Sequence, residues 1–240
     1  MGDSVYENPK KGFSMRFLHQ ADKRRLICNI DKFDKRGRPF RCDLTLSETN
    51  GKSMVIATPW TKKGHFYYNQ KINNLLAGGY CKLGDEMFDF NNGSMGVLDW
   101  GRGVWTYNNT WYWSSLNAIQ DGHYVGFNFG YGFGDTSSAS ENMFFFDKEA
   151  YKLDDVIMDI PLTKLGGDDF MKTWTFRNSS GDIRIRFTPI IDRHADTNLF
   201  LLRSNQHQVF GVFDGVIKID GREFEIKGLT GFAEKVHNRW

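Results

Sequence analysis

The sequence predicts an all-β protein of antiparallel strands, either a barrel or a sandwich. Three observations lead there. Apolar and polar residues alternate with period two in one short run after another. Turn dipeptides separate those runs at intervals of roughly ten to fifteen residues, the rhythm of a meander. No window of twelve residues carries the apolar stripe of a helix, and only five prolines occur in 240 residues.

The elements can be justified in chain order. The opening MGDSVYENPKKGFSM has no apolar stretch of the kind a secretory signal needs. Gly2 follows Met1, but Tyr6 stands where a myristoylation site requires Ser or Thr. Turns are expected at Asn50-Gly51, Gly78-Gly79, Asn92-Gly93, Asp121-Gly122, Gly166-Gly167, Ser180-Gly181 and Asp220-Gly221. A boundary near Asn91-Asn92-Gly93 divides the chain into residues 1–92 and 93–240. After it, LDWGRGVWTYNNTWYWSS holds four of the seven tryptophans. Within it VWTYNNTWYW reads as a hairpin turning at Asn108-Asn109, with Trp105 across from Tyr112 and with Trp111 and Trp113 on one face. Asp99 and Arg102 are expected to pair, anchoring that stretch.

In DGHYVGFNFGYGFGD, Val125, Phe127, Phe129, Tyr131 and Phe133 form an aromatic face. The other face is mostly glycine. A strand with a bare face gives up packing, so something bulky, a neighbouring tryptophan or a ligand, is expected against it. Further on, MKTWTFRN sets Met171 and Thr173 against Lys172 and Trp174. DIRIRFTP sets Ile183, Ile185 and Phe187 against Arg184 and Arg186, and REFEIKG sets Phe224 and Ile226 against charges. Pro161 and Pro189 are expected to close strands. DRHAD, after Pro189, reads as a loop. Its Asp192, His194 and Asp196 could share a side, but no HxH, HExxH or CxxC supports a metal, and none is expected. No strand–turn–helix context exists for a nucleotide or a nucleophile elbow, so no cofactor is expected.

Composition narrows the partners. Thirty-one Lys and Arg against 29 Asp and Glu leave a net charge of +2, with no basic stripe, so nucleic acid is not expected. No apolar run reaches the roughly 18–20 residues of a membrane helix, so no integral membrane segment is expected. An odd set of cysteines, Cys28, Cys42 and Cys81, suits a reducing cytoplasm. Composition says nothing of the oligomeric state.

Four long stretches carry a resemblance: LDWGRGVWTYNNTWYWSS, TPWTKKGHFYYNQKINNLLAGG, FTPIIDRHADTN and HQVFGVFDGVIKIDGREFEIKGLTGFAEKVHNRW. They resemble an uncharacterised family of bacteria and fungi, a domain of unknown function. That family is distantly similar to carotenoid 1,2-hydratase (hydroxyneurosporene synthase) and to tocopherol-cyclase-like proteins. The resemblance covers most of the chain and is strongest over Thr58–Trp113 and Gln206–Trp240. It implies two lipocalin-like barrel halves. Relatives carry a longer, basic segment with no counterpart before Gly12, which implies an incomplete first barrel.

Resemblance and composition together suggest a hydrophobic small molecule, a lipid or isoprenoid, in an aromatic-lined barrel. Trp105, Trp111, Trp113 and Phe127 are expected to line it, with Arg102 as polar anchor. The alternative is an enzyme that protonates a polyene for hydration or cyclisation. That needs a carboxylic acid kept neutral and aromatic faces near a carbocation. The candidates are Asp99, Glu141 and Glu234, with His237 as a partner of Glu234. Glu141, just before the apolar run Met143–Phe146, is the expected acid. Glu234 and His237 fall on opposite faces if extended. A third reading is a non-catalytic interaction module whose exposed aromatics meet a protein or membrane surface.

Overall fold

A computed structural model describes every residue except Met1, Asn50, Asn92 and Trp240. Asn50 and Asn92, expected in turns and at the boundary, and Trp240, in the C-terminal motif, therefore lie outside the described residues. The rest is strand and turn, with one 3-10 turn at Pro9–Lys11 among the described residues. None of the described helices is long and apolar enough to cross a membrane.

Two curled antiparallel half-barrel sheets form. The first contains β1 (Ser4–Asn8), β2 (Phe13–Gln20), β3 (Lys23–Ile30), β4 (Phe40–Ser47), β5 (Met54–Pro59), β6 (Phe66–Leu83), β7 (Glu86–Phe90) and β8 (Met95–Val104). Its order is β1-β2-β3-β4-β6-β5, with β7 and β8 also on β6. The second contains β9 (Asn108–Gln120), β10 (His123–Tyr131), β11 (Met143–Phe146), β12 (Glu149–Lys152), β13 (Ile157–Asp159), β14 (Trp174–Arg177), β15 (Ile183–Leu199), β16 (Leu202–Ile219) and β17 (Arg222–Arg239). Its order is β12-β11-β10-β9-β17-β16-β15-β14-β13.

By proximity the chain forms two compact units. One is Met1–Gly51 with Asn74–Gly96; the other is Lys52–Asn73 with Val97–Trp240. Strand β6 runs from the second into the first. In the first unit Cys28, Cys42 and Cys81 stand in register on β3, β4 and β6, all as free thiols. Burial, with a hydrogen bond donated to Cys81 that favours the protonated thiol, pushes Cys42 up to about 12.

The second unit owns a dense core. Phe127, Phe129, Phe144, Trp174, Phe176, Phe187 and Phe213 are all essentially inaccessible. They come from alternate positions of β10, β11, β14, β15 and β16, as period-two patterning requires. Asp121-Gly122 and Asp220-Gly221 hold left-handed conformations and join β9 to β10 and β16 to β17, as expected of two-residue hairpin turns.

Several expectations are corrected. Gly78-Gly79 is no turn but lies inside β6. A Cβ on Gly79 would come within 2.1 Å of the Asp43 carbonyl oxygen, so the glycine serves close strand approach. Pro189 does not end β15; the strand passes it through a register shift between Pro189 and Ile191, beyond the reach of β14, where a missing N–H costs little. DRHAD is consequently strand, not loop. Strand β14 starts at Trp174, so Met171 and Thr173 precede it and the inward residues are Trp174 and Phe176. The Asn108-Asn109 hairpin does not form either. Those residues open β9 and pair with Arg239 and Asn238, while β8 joins β6, so Trp105 has no partner in Tyr112.

Candidate functional site

Period two decides where the site can be. On β9, Leu116 and Ser114 face the core, so Trp111 and Trp113 face away from it. On β17, Ala233 faces the core and Glu234 turns to the tryptophan side, directly opposite Trp113. On β10, Gly130 lies opposite Trp113, so the bare glycine face is also on that side. A Cβ on Gly130 would meet the Glu141 carboxyl at 2.6 Å. The glycine thus makes room for a carboxyl group beside an indole.

A cavity of about 260 Å³ opens on this outer face, within the second unit. Strand β6 supplies Tyr67 and Lys71, and β8 supplies Asp99. Trp105 follows β8, Phe133 follows β10 and Glu141 precedes β11; Trp111, Trp113 and Glu234 complete the wall. Phe133 is the hub. Its ring lies 4.9 Å from Tyr67, 5.1 Å from Trp60, 5.2 Å from Trp111 and 6.0 Å from Trp105, mostly edge to face.

The polar groups are held rigidly. Lys71 Nζ binds Glu141 Oε2 at 2.8 Å, both side chains nearly buried, and sits 4.2 Å from the Trp113 ring centre. Trp113 Nε1 donates to Asn128 Oδ1 at 2.7 Å, and Asn128 Nδ2 donates to the Glu141 carbonyl at 2.7 Å. Asp99 accepts from Asn69 Nδ2 at 2.7 Å; the same amide donates to the Tyr67 hydroxyl. Burial, with the Asp99 charge nearby, raises the Tyr67 phenol.

Glu234 differs from the other carboxyl groups. It is only 4% exposed, and both oxygens take neutral donors: Trp111 Nε1 at 3.0 Å and Gln208 Nε2 at 3.0 Å. Desolvation raises its pKa, outweighing those two hydrogen bonds and the more distant Lys71 charge. A neutral carboxyl beside an indole edge can donate a proton into an apolar space.

The structure gathers Asp99, Trp105, Trp111, Trp113, Glu141 and Glu234 around one cavity. It does not bring Arg102, Phe127 or His237 to it. Arg102 is exposed and makes no ion pair with Asp99. Phe127 stacks on Phe129 in the core, because β10 turns that face inward. His237, three residues beyond Glu234 on an extended strand, binds Thr110 Oγ1 on the opposite face. Lys71, Tyr67 and Phe133 were not foreseen as lining residues. The signal for Lys71 was its place between Asn69 and Asn73 on alternate positions of β6, a row of polar groups that all prove buried.

The chain belongs to the family described as a domain of unknown function (DUF2804), whose model matches residues 2–240. Among solved structures it is similar to a Nitrosomonas europaea protein carrying the AttH designation. Identity is 14%, the alignment covers 92% of this chain and 67% of that one, and the TM-score is 0.51. It is also similar to kievitone hydratase from Nectria haematococca, at 8% identity over 95% of this chain and 83% of that one, with a TM-score of 0.41. No curated protein matches the sequence. The first likeness is one of fold alone.

Proposed function

We propose that this member of the DUF2804 family binds the end of a hydrophobic small molecule, a lipid or isoprenoid, in the cavity beneath Phe133. The observation that carries the reading is the convergence of five aromatic side chains from four separate segments on about 260 Å³. An apolar cavity of about 150 Å³ accepts one benzene ring. There is room here for a ring or branched terminus, not for a whole polyene. Lys71, Asp99 and Glu141 would orient a hydroxyl or carbonyl on that terminus. The free thiols support a reducing compartment. The test is organic extraction of purified protein, followed by titration of the delipidated protein with isoprenoid alcohols and monocyclic terpenoids, read by tryptophan fluorescence. Quenching that weakens about tenfold in Trp111→Ala is expected; no extracted ligand and no quenching would overturn the reading.

A second reading is favoured by Glu234. Its carboxyl, in the protonated form that burial favours, would protonate a carbon–carbon double bond, leaving a carbocation beside Trp111 and Trp105. Water would add to the cation and return a proton to the Glu234 carboxylate. Glu234 takes this role rather than Glu141, whose carboxylate is engaged by Lys71. Under this reading Glu234→Gln keeps ligand binding and loses turnover of a polyene, measured as hydrated product by mass spectrometry. Turnover retained in that variant would remove Glu234 from the mechanism.

A further inference from the structure

We propose that the tip of the β15–β16 hairpin is a membrane-docking element, inserted at the headgroup level of an anionic bilayer. Leu199, Phe200, Leu201 and Leu202 are 65%, 88%, 64% and 49% exposed at the turn. Hairpin turns ordinarily carry Asn, Gly or Asp. Phe200 moreover holds φ +52°, a left-handed conformation that a bulky side chain adopts at a cost. Turn geometry does not ask for these residues, and the core does not bury them.

The surroundings of the tip match a lipid interface. Arg203 and Arg239 pair across β16 and β17 directly behind the turn, the next residue of β16 toward the tip being Leu202. At about 3.3 Å per residue the tip reaches roughly 7 Å past those arginines, the depth at which interfacial segments settle. The turn's carbonyls are already satisfied: Tyr107 Oη donates to Leu201 at 2.5 Å and Arg239 Nη2 to Phe200 at 2.9 Å. Backbone that leaves water needs such partners. Tyr107, half exposed, stands where interfacial aromatics stand.

The charges choose the partner. Arg203 and Arg239 are direct cross-strand neighbours, an arrangement that repels unless an anion lies between them. Neither forms an ion pair among the described residues, and Arg239 Nε is buried without an acceptor. The first acid down the hairpin is Asp196, opposite Asn205. A lipid phosphate would bridge the two guanidinium groups while the four apolar side chains enter the acyl boundary. The proposal does not depend on the cavity reading, since the vesicles that test it carry no added ligand.

The experiment is co-sedimentation of the 240-residue chain with phosphatidylcholine vesicles, with and without phosphatidylglycerol, at low and high salt. Binding to the anionic vesicles that weakens with salt is expected. Replacing Phe200→Asn together with Leu201→Gly installs an ordinary turn, so the melting temperature should hold or rise while partitioning falls about tenfold or more. Arg203→Gln should lower binding to anionic vesicles several-fold and flatten the salt dependence. Absence of wild-type binding, or equal binding by the turn variant, would overturn the proposal. So would a concentration-dependent dimer in vesicle-free sedimentation that the turn variant abolishes, because the occupant would then be a second copy.

Discussion

Glu234 and Glu141 stand in one cavity beside different partners. Glu141 lies against an ammonium group, whereas Glu234 has only neutral donors and a lost hydration shell. A carboxyl whose folded pKa is raised binds more protons folded than unfolded between the two pKa values, so stability falls as pH rises through that window. Glu234→Gln removes the penalty. The variant should therefore melt higher than the wild type at neutral pH, and the difference should vanish at a pH below the ordinary glutamate value, as calorimetry across pH would show. The Lys71–Glu141 pair makes the converse case. Lys71→Met leaves a carboxylate without its counter-charge and should cost about 3–5 kcal/mol in urea denaturation; adding Glu141→Leu should recover most of it. At this scale the sequence was partly legible. Glu234 and Trp111 were visible as candidates, but Glu234's neutral neighbours, Trp111 and Gln208, lie on two other strands and no spacing announces them.

Strand β10 shows how an element aims a side chain. Val125, Phe127 and Phe129 obey period two and enter the core. Alternation would send Phe133 after them. Instead the strand ends at Tyr131, and Gly132 and Gly134 both adopt left-handed conformations, φ +94° and +85°, that carry Phe133 to the other face. A Cβ on Gly132 would come within 2.6 Å of the Thr110 carbonyl oxygen. Gly132→Ala should therefore destabilise the protein by about 1–3 kcal/mol and weaken quenching by any cavity ligand, since the aromatic hub would shift. The glycine-rich pattern was plain in the sequence, but the group against Gly130 is the Glu141 carboxyl rather than a tryptophan or a ligand. That two of its glycines redirect an aromatic could not be read, because glycine permits the left-handed region without declaring whether it is used.

The second unit takes Lys52–Asn73 from the early chain and Val97–Trp240 from the late chain. Tyr67 and Lys71 come from the early piece and close a wall on Trp111, Trp113 and Glu141. A fragment of residues 93–240 should thus lack that wall and leave Glu141 without its lysine. It should bind the dye ANS and lose near-ultraviolet circular dichroism relative to the whole chain, whereas co-expression with residues 1–92 should restore the signal. The sequence alone determined the all-β class, two of the hairpin turns, the inward faces of β15 and β17 and the family, because these rest on local alternation, turn chemistry and long ordered motifs. Only the tertiary structure decided that the candidate cavity lies outside the packed core, and that Phe127 belongs to that core while Lys71 belongs to the cavity. It alone placed four exposed apolar residues at the tip of the β15–β16 hairpin. Each of these depends on which distant strands meet and on which face, and period two fixes a strand's two faces without saying which neighbour each will find.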